Sequence, residues 1–486
     1  MLLVVFCLNI LFLLYVVTVG AVNKPVQPVD FQCPKPFRVS PSLNYRIFVG
    51  QTEIRDCGMP CNVSDDAFFR EDHRQFARYM IGITAVVCLT SSLFTVATFL
   101  VDMSRFRYPQ RPIIFISGCY CIVAVAYIVG FAVGNQIACS NPFPPTASDD
   151  EVAELYSVTP RLVVTQRTQR EGCTIVFMML YFFSMASWLW WVVLTVTWFL
   201  SAGMKWGNEA IERNAHYFHL VAWTIPAIKT IVLLAFGQID GDPLAGVCVA
   251  GGSDIFWLRV LVLVPLCVYL GVGTCFLLAG FVALCRIRTV MKHDGTRVDK
   301  LERLMVRIGI YSVLYMVPAS VVIACYFYEQ SLRADWSYDW YSVHAGNLAH
   351  SHSNSVPDFA VFMIKYLMTL IVGIMSGFWI WSSKTLLSWQ RFCCITLCRR
   401  SQPSAIWHCA QMSSNVIHLW FGVCMVNIRS VSLFPMLVGS SSSFPLLLFP
   451  FYALHISPCP PYQFHPSRLP LPFPSPIPSQ LDVGAL

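Results

Sequence analysis

Seven blocks of this sequence run for about twenty residues or more with almost no charge, the length an α-helix needs to cross the hydrocarbon core of a bilayer. Residues 79–101 and 112–134 are uncharged, and so is 173–204, which outruns one span and is expected to tilt or project. Residues 216–237 hold only Lys229, 255–285 only Arg259, 308–328 no charge, and 359–383 only Lys365. Backbone polar groups in lipid must find partners within the protein, so only helices and closed barrels span a membrane. Blocks this long and this apolar predict helices. The chain therefore reads as an all-α membrane protein, a seven-transmembrane helix bundle. A large soluble helical core is the alternative set aside, because only 12% of the residues are charged, roughly half the usual share in soluble domains.

The basic residues set the expected orientation. The loop after the first block holds Arg105, Arg107 and Arg111, the loop after the third holds Lys205 and Arg213, and the loop after the fifth holds Arg286, Arg288, Lys292, Arg297, Lys300 and Arg303. The opposite loops are mixed or acidic, with Asp149, Asp150, Glu151 and Glu154 in one of them. The N-terminus is expected outside and the C-terminus inside. The net charge of +7 is then positive-inside bias, and nucleic acid is not an expected partner. Residues 1–21 are apolar and end in small residues, including Val19 and Ala21, which fits a signal peptide. They lack a basic start, so an uncleaved extra span is the alternative.

Of twenty cysteines, Cys33, Cys57, Cys61, Cys139, Cys173 and Cys248 fall on the predicted outside, where disulfides form. Spacing alone leaves many connectivities open. One pair follows from position: Cys173 opens the third block and Cys248 precedes the fifth, so a bond would pin that loop over the bundle. Cys88, Cys275 and Cys325 lie inside blocks and read as packing residues. Asn62-Val63-Ser64 is a glycosylation sequon in the extracellular linker expected at 22–78.

No catalytic constellation is present: no His, Cys and acidic cluster has metal spacing, and no Gly-rich phosphate loop occurs. The chain is not expected to be an enzyme or to need a cofactor. Its chemistry lies in charge and aromatic contacts at the inner ends of the helices. Arg307 opens the sixth block, eleven residues before Pro318, and Trp379 closes the seventh. On chemistry alone Arg307 reads first as snorkelling to headgroups and Trp379 as part of the interfacial aromatic belt. The second reading is a cation–π latch, worth about 0.5–2 kcal/mol. Pro318 removes a backbone donor and is expected to kink its helix. Lys229, Arg259 and Lys365 sit toward the outer half and read as snorkelling or paired residues, with a polar ligand site as the alternative.

Residues 384–400 read as a short juxtamembrane amphipathic helix. Leu386, Trp389, Cys393 and Leu397 share one face, while Lys384, Ser388 and Arg391 share the other. Trp389 is expected toward lipid. Cys393, Cys394 and Cys398 are candidates for lipidation beside the membrane, with free thiols as the alternative. Residues 401–486 have little charge and many Pro and Ser, an atypical tail expected to be disordered.

Several blocks, in order, resemble the Frizzled receptors, class F seven-transmembrane receptors of the Wnt pathway. They include Asp102-Met103-Ser104-Arg105-Phe106-Arg107-Tyr108-Pro109 in the first inner loop and Tyr181-Phe182-Phe183-Ser184 in the third span. Gly203-Met204-Lys205-Trp206-Gly207-Asn208 follows in the second inner loop, and Leu314-Tyr315-Met316-Val317-Pro318-Ala319 and Cys325-Tyr326-Phe327-Tyr328-Glu329-Gln330 in the sixth span. Lys384, Thr385 and Trp389 then match the family's K-T-x-x-x-W element. The resemblance implies a plasma-membrane receptor that recruits the cytoplasmic adaptor Dishevelled through Lys384, Thr385 and Trp389, helped by Arg105 and Phe106. It implies a switch made of Arg307 and Trp379 about Pro318, and the pairs Cys33–Cys57, Cys61–Cys139 and Cys173–Cys248. Wnt is the ligand in the family, heterotrimeric G proteins and dimer formation are further partners it leaves open, and membrane lipid surrounds the bundle. The seventh span and Tyr328-Glu329-Gln330 look most like the subgroup of Frizzled five and eight.

The sequence departs from the family before Cys33, where too few residues stand for the cysteine-rich domain that grips Wnt. A truncated, non-signalling or dominant-negative isoform without direct Wnt binding is therefore the alternative function. A Smoothened-like receptor is the nearest relative to exclude, and its segment after the last span differs from Lys384-Thr385. A rhodopsin-type receptor is disfavoured because Thr197-Trp198-Phe199-Leu200 stands where D-R-Y would. A transporter is disfavoured because no inverted repeat is evident.

Overall fold

The computed structural model describes residues 33, 37–49, 52–61, 68–143, 162–294, 299–344, 357–380, 385, 387–389 and 391–392. Among them seven helices are long and apolar enough to cross a membrane. In chain order these are α1 (Glu71–Val101), α2 (Arg111–Val133), α3 (Glu171–Ala202), α4 (Ala215–Phe236), α5 (Val264–Asp294), α6 (Asp299–His344) and α7 (Phe359–Ile380). A π-helical turn, Leu258–Leu263, leads into α5.

Several helices run past the apolar blocks that announced them. α1 begins at Glu71 rather than near residue 79, with Glu71 and Asp72 in its first turn, where the helix dipole favours negative charge. The sixth block, 308–328, is the middle of a 46-residue helix, roughly 69 Å long at 1.5 Å per residue. Hydropathy marks only the part of a helix that meets lipid, so the water-exposed turns are invisible to it. Pro318 lies buried within α6, and the helix continues on both sides of it.

α3 is the axis of the bundle. Its buried side chains occur on every turn, and Trp190, Trp191 and Trp198 are completely enclosed. Two of these indoles lock α3 to two neighbours. Trp191 packs where a Cβ on Gly273 would collide with it, and Trp198 does the same at Gly280. Their N–H groups donate to backbone carbonyls of α6, Trp191 to Ser312 at 3.3 Å and Trp198 to Met305 at 2.9 Å. Both sets of contacts recur at a seven-residue spacing, two helical turns apart, with the numbers rising together along α3 and α5, which run parallel, and in opposite senses along α3 and α6, which run antiparallel. α4 is peripheral: its buried residues are Ala222, Pro226, Thr230 and Leu233, a single stripe at helical period.

One end of the bundle carries a cap that the all-α reading did not foresee. Among the described residues three two-stranded antiparallel sheets form it: β1 (Arg46–Val49) with β2 (Thr52–Arg55), β3 (Cys139–Ser140) with β4 (Val163–Val164), and β5 (Ile239–Asp242) with β6 (Val247–Ala250). Gly241 is required in β5, because any Cβ there would overlap the Ala138 carbonyl. Three disulfides staple the cap. Cys33 joins Cys57, Cys61 joins Cys139 and Cys173 joins Cys248, with Cα–Cα distances of 5.9, 5.9 and 5.5 Å. The last α6 turns enter this cap, where Trp340 packs on Phe37 at 5.2 Å between centroids.

Candidate partner-binding site opposite the disulfide-bonded face

At the other end of the bundle, the chain leaves α1 and turns at once. Asp102 accepts from the Ser104 hydroxyl at 3.0 Å, and a short 3-10 turn, Met103–Arg105, follows. Phe106 then points inward. It is 3% exposed and meets Phe99 edge-on at 5.9 Å. Its burial makes it the anchor of the loop, and Arg105 is the residue the loop presents, lying 5.4 Å over the Phe106 ring. Partial burial pulls the Arg105 guanidinium below its ordinary pKa.

The segment after α7 folds back onto this loop and onto α1. Thr385, Leu387–Trp389 and Arg391–Phe392 are helical where described. Side-chain hydrogen bonds at three of its described residues hold the segment. Arg105 Nη1 donates to Thr385 Oγ1 at 3.1 Å, Ser388 Oγ donates to Asp102 Oδ2 at 3.0 Å, and Trp389 Nε1 donates to Thr98 Oγ1 at 3.0 Å. Thr385 Oγ1 in turn donates to the Ile380 carbonyl at 2.6 Å. The Trp389 ring stacks on Phe94 at 5.8 Å and 10°. Thr385 is buried and Trp389 half-buried, while Leu387 and Phe392 are exposed.

This differs from the expected face assignment in two respects. The amphipathic pattern put Trp389 toward lipid and Ser388 on the opposite face; in the structure the Trp389 indole is spent on α1, and Ser388 is tied to the end of the same helix. The sequence pattern did not show the helix on which the segment docks. Thr98 and Asp102 lie four residues apart on α1 and its end, so one face of α1 carries both acceptors. Sequence reasoning missed them along with Phe94. The available signal was the polar Thr98 close to the end of an otherwise apolar block.

Arg307, in the first turns of α6, is exposed and lies within electrostatic range of Arg105. The side chain of Trp379 lies outside the described residues, as do Lys384, Cys393, Cys394, Cys398 and Asn62. The described part of the site is therefore Arg105, Phe106, Thr385, Ser388 and Trp389 with their supports on α1.

The three basic residues inside the apolar blocks, Lys229, Arg259 and Lys365, all have partners. Lys365 Nζ donates to Glu329 Oε2 at 2.9 Å, with both side chains buried, and Arg333 pairs with the other Glu329 oxygen. Arg259 Nε donates to Gln330 Oε1 at 3.0 Å, and Lys229 Nζ to the Tyr269 hydroxyl at 2.7 Å. Glu329, Arg333 and Lys365 also line a cavity of about 220 Å³ below the cap, walled by Asp240, Asp242 and Tyr366. Burial pushes the Asp240 carboxyl up, against hydrogen bonds from the Ser253 amide and hydroxyl.

Residues 68–396 match the Frizzled/Smoothened family membrane region, which covers the bundle from its first helix to the returning segment. Frizzled-1 of Rattus norvegicus is 55% identical over 383 residues, covering 76% of this chain and 57% of the relative. Frizzled-1 of Xenopus laevis is 57% identical over 370 residues, covering 74% of this chain and 63% of the relative. The chain thus spans less than two thirds of the length of these relatives. A crystal structure of squid rhodopsin aligns at a TM-score of 0.41 and 10% identity, over 69% of this chain and 90% of that one, a likeness that carries no weight beside the sequence match. With the membrane region matched throughout the bundle, the chain belongs to the Frizzled/Smoothened family.

Proposed function

We propose that this chain is a Frizzled-type receptor of the Wnt pathway that relays to Dishevelled through the bundle end opposite the disulfides. The observation that carries the reading is the threefold tie of Thr385, Ser388 and Trp389 to Arg105, Asp102 and Thr98. It fixes the K-T-x-x-x-W segment against α1 and leaves Leu387 and Phe392 on the open side. Lys384, which precedes Thr385 in the sequence, adds a positive charge to the element. A partner with an acidic and apolar surface fits such a site.

The same reading puts the disulfide-bonded cap outside the plasma membrane, because disulfides persist there, and the basic loops inside. It takes Wnt as the ligand from the family and Asn62 as a glycosylation site. Cys393, Cys394 and Cys398 are taken as lipidation sites, and coupling to heterotrimeric G proteins and dimer formation stay open beside the adaptor relay. It gives Arg307, Trp379 and Pro318 the role of an activation switch, with Arg307 exposed at the start of α6. Placement beside Frizzled five and eight rests on Tyr328-Glu329-Gln330 and the seventh span alone. The test is direct binding: receptor in nanodiscs against purified Dishevelled. Binding that Lys384→Glu weakens tenfold or more supports the relay. Equal affinity of both receptors overturns it.

A further inference from the structure

A single guanidinium joins the first and second inner loops. Arg111, the first residue of α2, places Nη1 2.7 Å from Glu212 Oε1. Its Nε donates to the Phe106 carbonyl at 3.1 Å, and the group lies 5.6 Å over the Tyr108 ring. Glu212 belongs to the short helix Asn208–Arg213, pinned to the bundle by its one buried residue, Ile211. Glu212 stands on the exposed side of that helix.

The consequence appears one residue earlier in the chain. The carbonyl that Arg111 holds belongs to Phe106, and its neighbour Arg105 meets Thr385 at 3.1 Å. A continuous path therefore runs from Glu212 through Arg111 and the Phe106 backbone to Arg105 and the docked segment. We propose that Arg111 and Glu212 are a positioning pair, through which the second inner loop sets the Arg105 platform for adaptor docking. This rests on the adaptor reading above.

The chemistry asks for arginine. Three contacts in three directions use the planar fork and the ring-stacking face of a guanidinium, and a lysine can make only the charge contact. Both side chains are partly exposed, 33% for Arg111 and 42% for Glu212, so the pair tunes the platform rather than holding the fold. An exposed ion pair of this kind changes an equilibrium by about twofold to fivefold, and salt screens it.

The experiment measures recruitment of fluorescent Dishevelled to the plasma membrane in cells lacking Frizzled receptors, at matched surface levels. Glu212→Gln is expected to lower recruitment about twofold to fivefold, and Glu212→Arg to lower it further. The charge-reversed double variant Arg111→Glu, Glu212→Arg restores only the ion pair and loses the donor to the Phe106 carbonyl, so it should recruit no better than Glu212→Arg alone. Arg111→Lys should fall with Glu212→Gln although the charge is kept. Wild-type recruitment by both Glu212 variants, or full rescue by the double variant, overturns the proposal. Lys384→Ala with Trp389→Ala runs in parallel. If that variant recruits normally, the adaptor reading fails and this inference with it. If it fails to recruit while the Glu212 variants recruit normally, only the positioning pair is wrong.

Discussion

Trp389 donates its indole N–H to the Thr98 hydroxyl at 3.0 Å while its ring stacks on Phe94. Both contacts fix the segment after α7 to the first helix, so they can be separated by mutation. Trp389→Phe keeps the stack and loses the hydrogen bond, about 0.5–1.5 kcal/mol. Adaptor recruitment should fall by roughly threefold to tenfold by that change, and more with Trp389→Ala. Thr98→Val should match Trp389→Phe. If Thr98→Val is silent, the indole is anchored by stacking alone.

The glycine gaps that receive the α3 tryptophans make a stability prediction. A Cβ at Gly280 collides with the Trp198 ring, whereas one at Gly118 meets nothing within 4 Å. Gly280→Ala should destabilise the detergent-solubilised bundle by about 1–3 kcal/mol through overpacking, seen as a lower Tm. Gly118→Ala should leave Tm unchanged or raise it. Equal behaviour of the two variants would contradict the packing.

The buried pair of Lys365 and Glu329 predicts non-additivity. Lys365→Met leaves Glu329 with Arg333 as its remaining cation, and breaking a buried pair costs about 3–5 kcal/mol. Adding Glu329→Gln removes a contact already lost in Lys365→Met, so the double variant should lose less stability than the two single variants summed. Thermal unfolding of the three variants checks this; strict additivity would mean that the two residues do not share one network.

Arg307 stands exposed at the start of α6, near Arg105. If it takes part in the activation switch, Arg307→Ala should change basal signalling about twofold or more at constant surface expression, the scale of a cation–π contact. A reporter assay with surface labelling measures both quantities. Unchanged basal and ligand-driven output would return Arg307 to a headgroup-snorkelling role.

Much of this molecule was legible before its structure because lipid imposes such a simple demand. Blocks almost free of charge could only be spanning helices, and each of the seven overlaps one of the seven helices long and apolar enough to cross a membrane. The ends of those helices were not legible, since turns in water carry no apolar signature; α6 shows this most clearly, running on to Trp340 in the cap. The paired strands of the cap were missed because strands as short as Cys139–Ser140 are set by disulfides and close backbone packing rather than by any repeating pattern. At the site, Arg105, Thr385 and Trp389 were visible as residues, but their pairing was not. Arg105 and Thr385 stand 280 positions apart, and Thr98, the partner of Trp389, is unremarkable in sequence; only the returning segment brings them together.

Recruitment of Dishevelled to the plasma membrane by the Lys384→Ala, Trp389→Ala double variant tests the proposed relay most directly. In cells lacking Frizzled receptors, the unmodified chain should draw Dishevelled to the membrane, and the double variant, at equal surface expression, should leave it in the cytosol. Equal recruitment by both would contradict an adaptor site built on this segment.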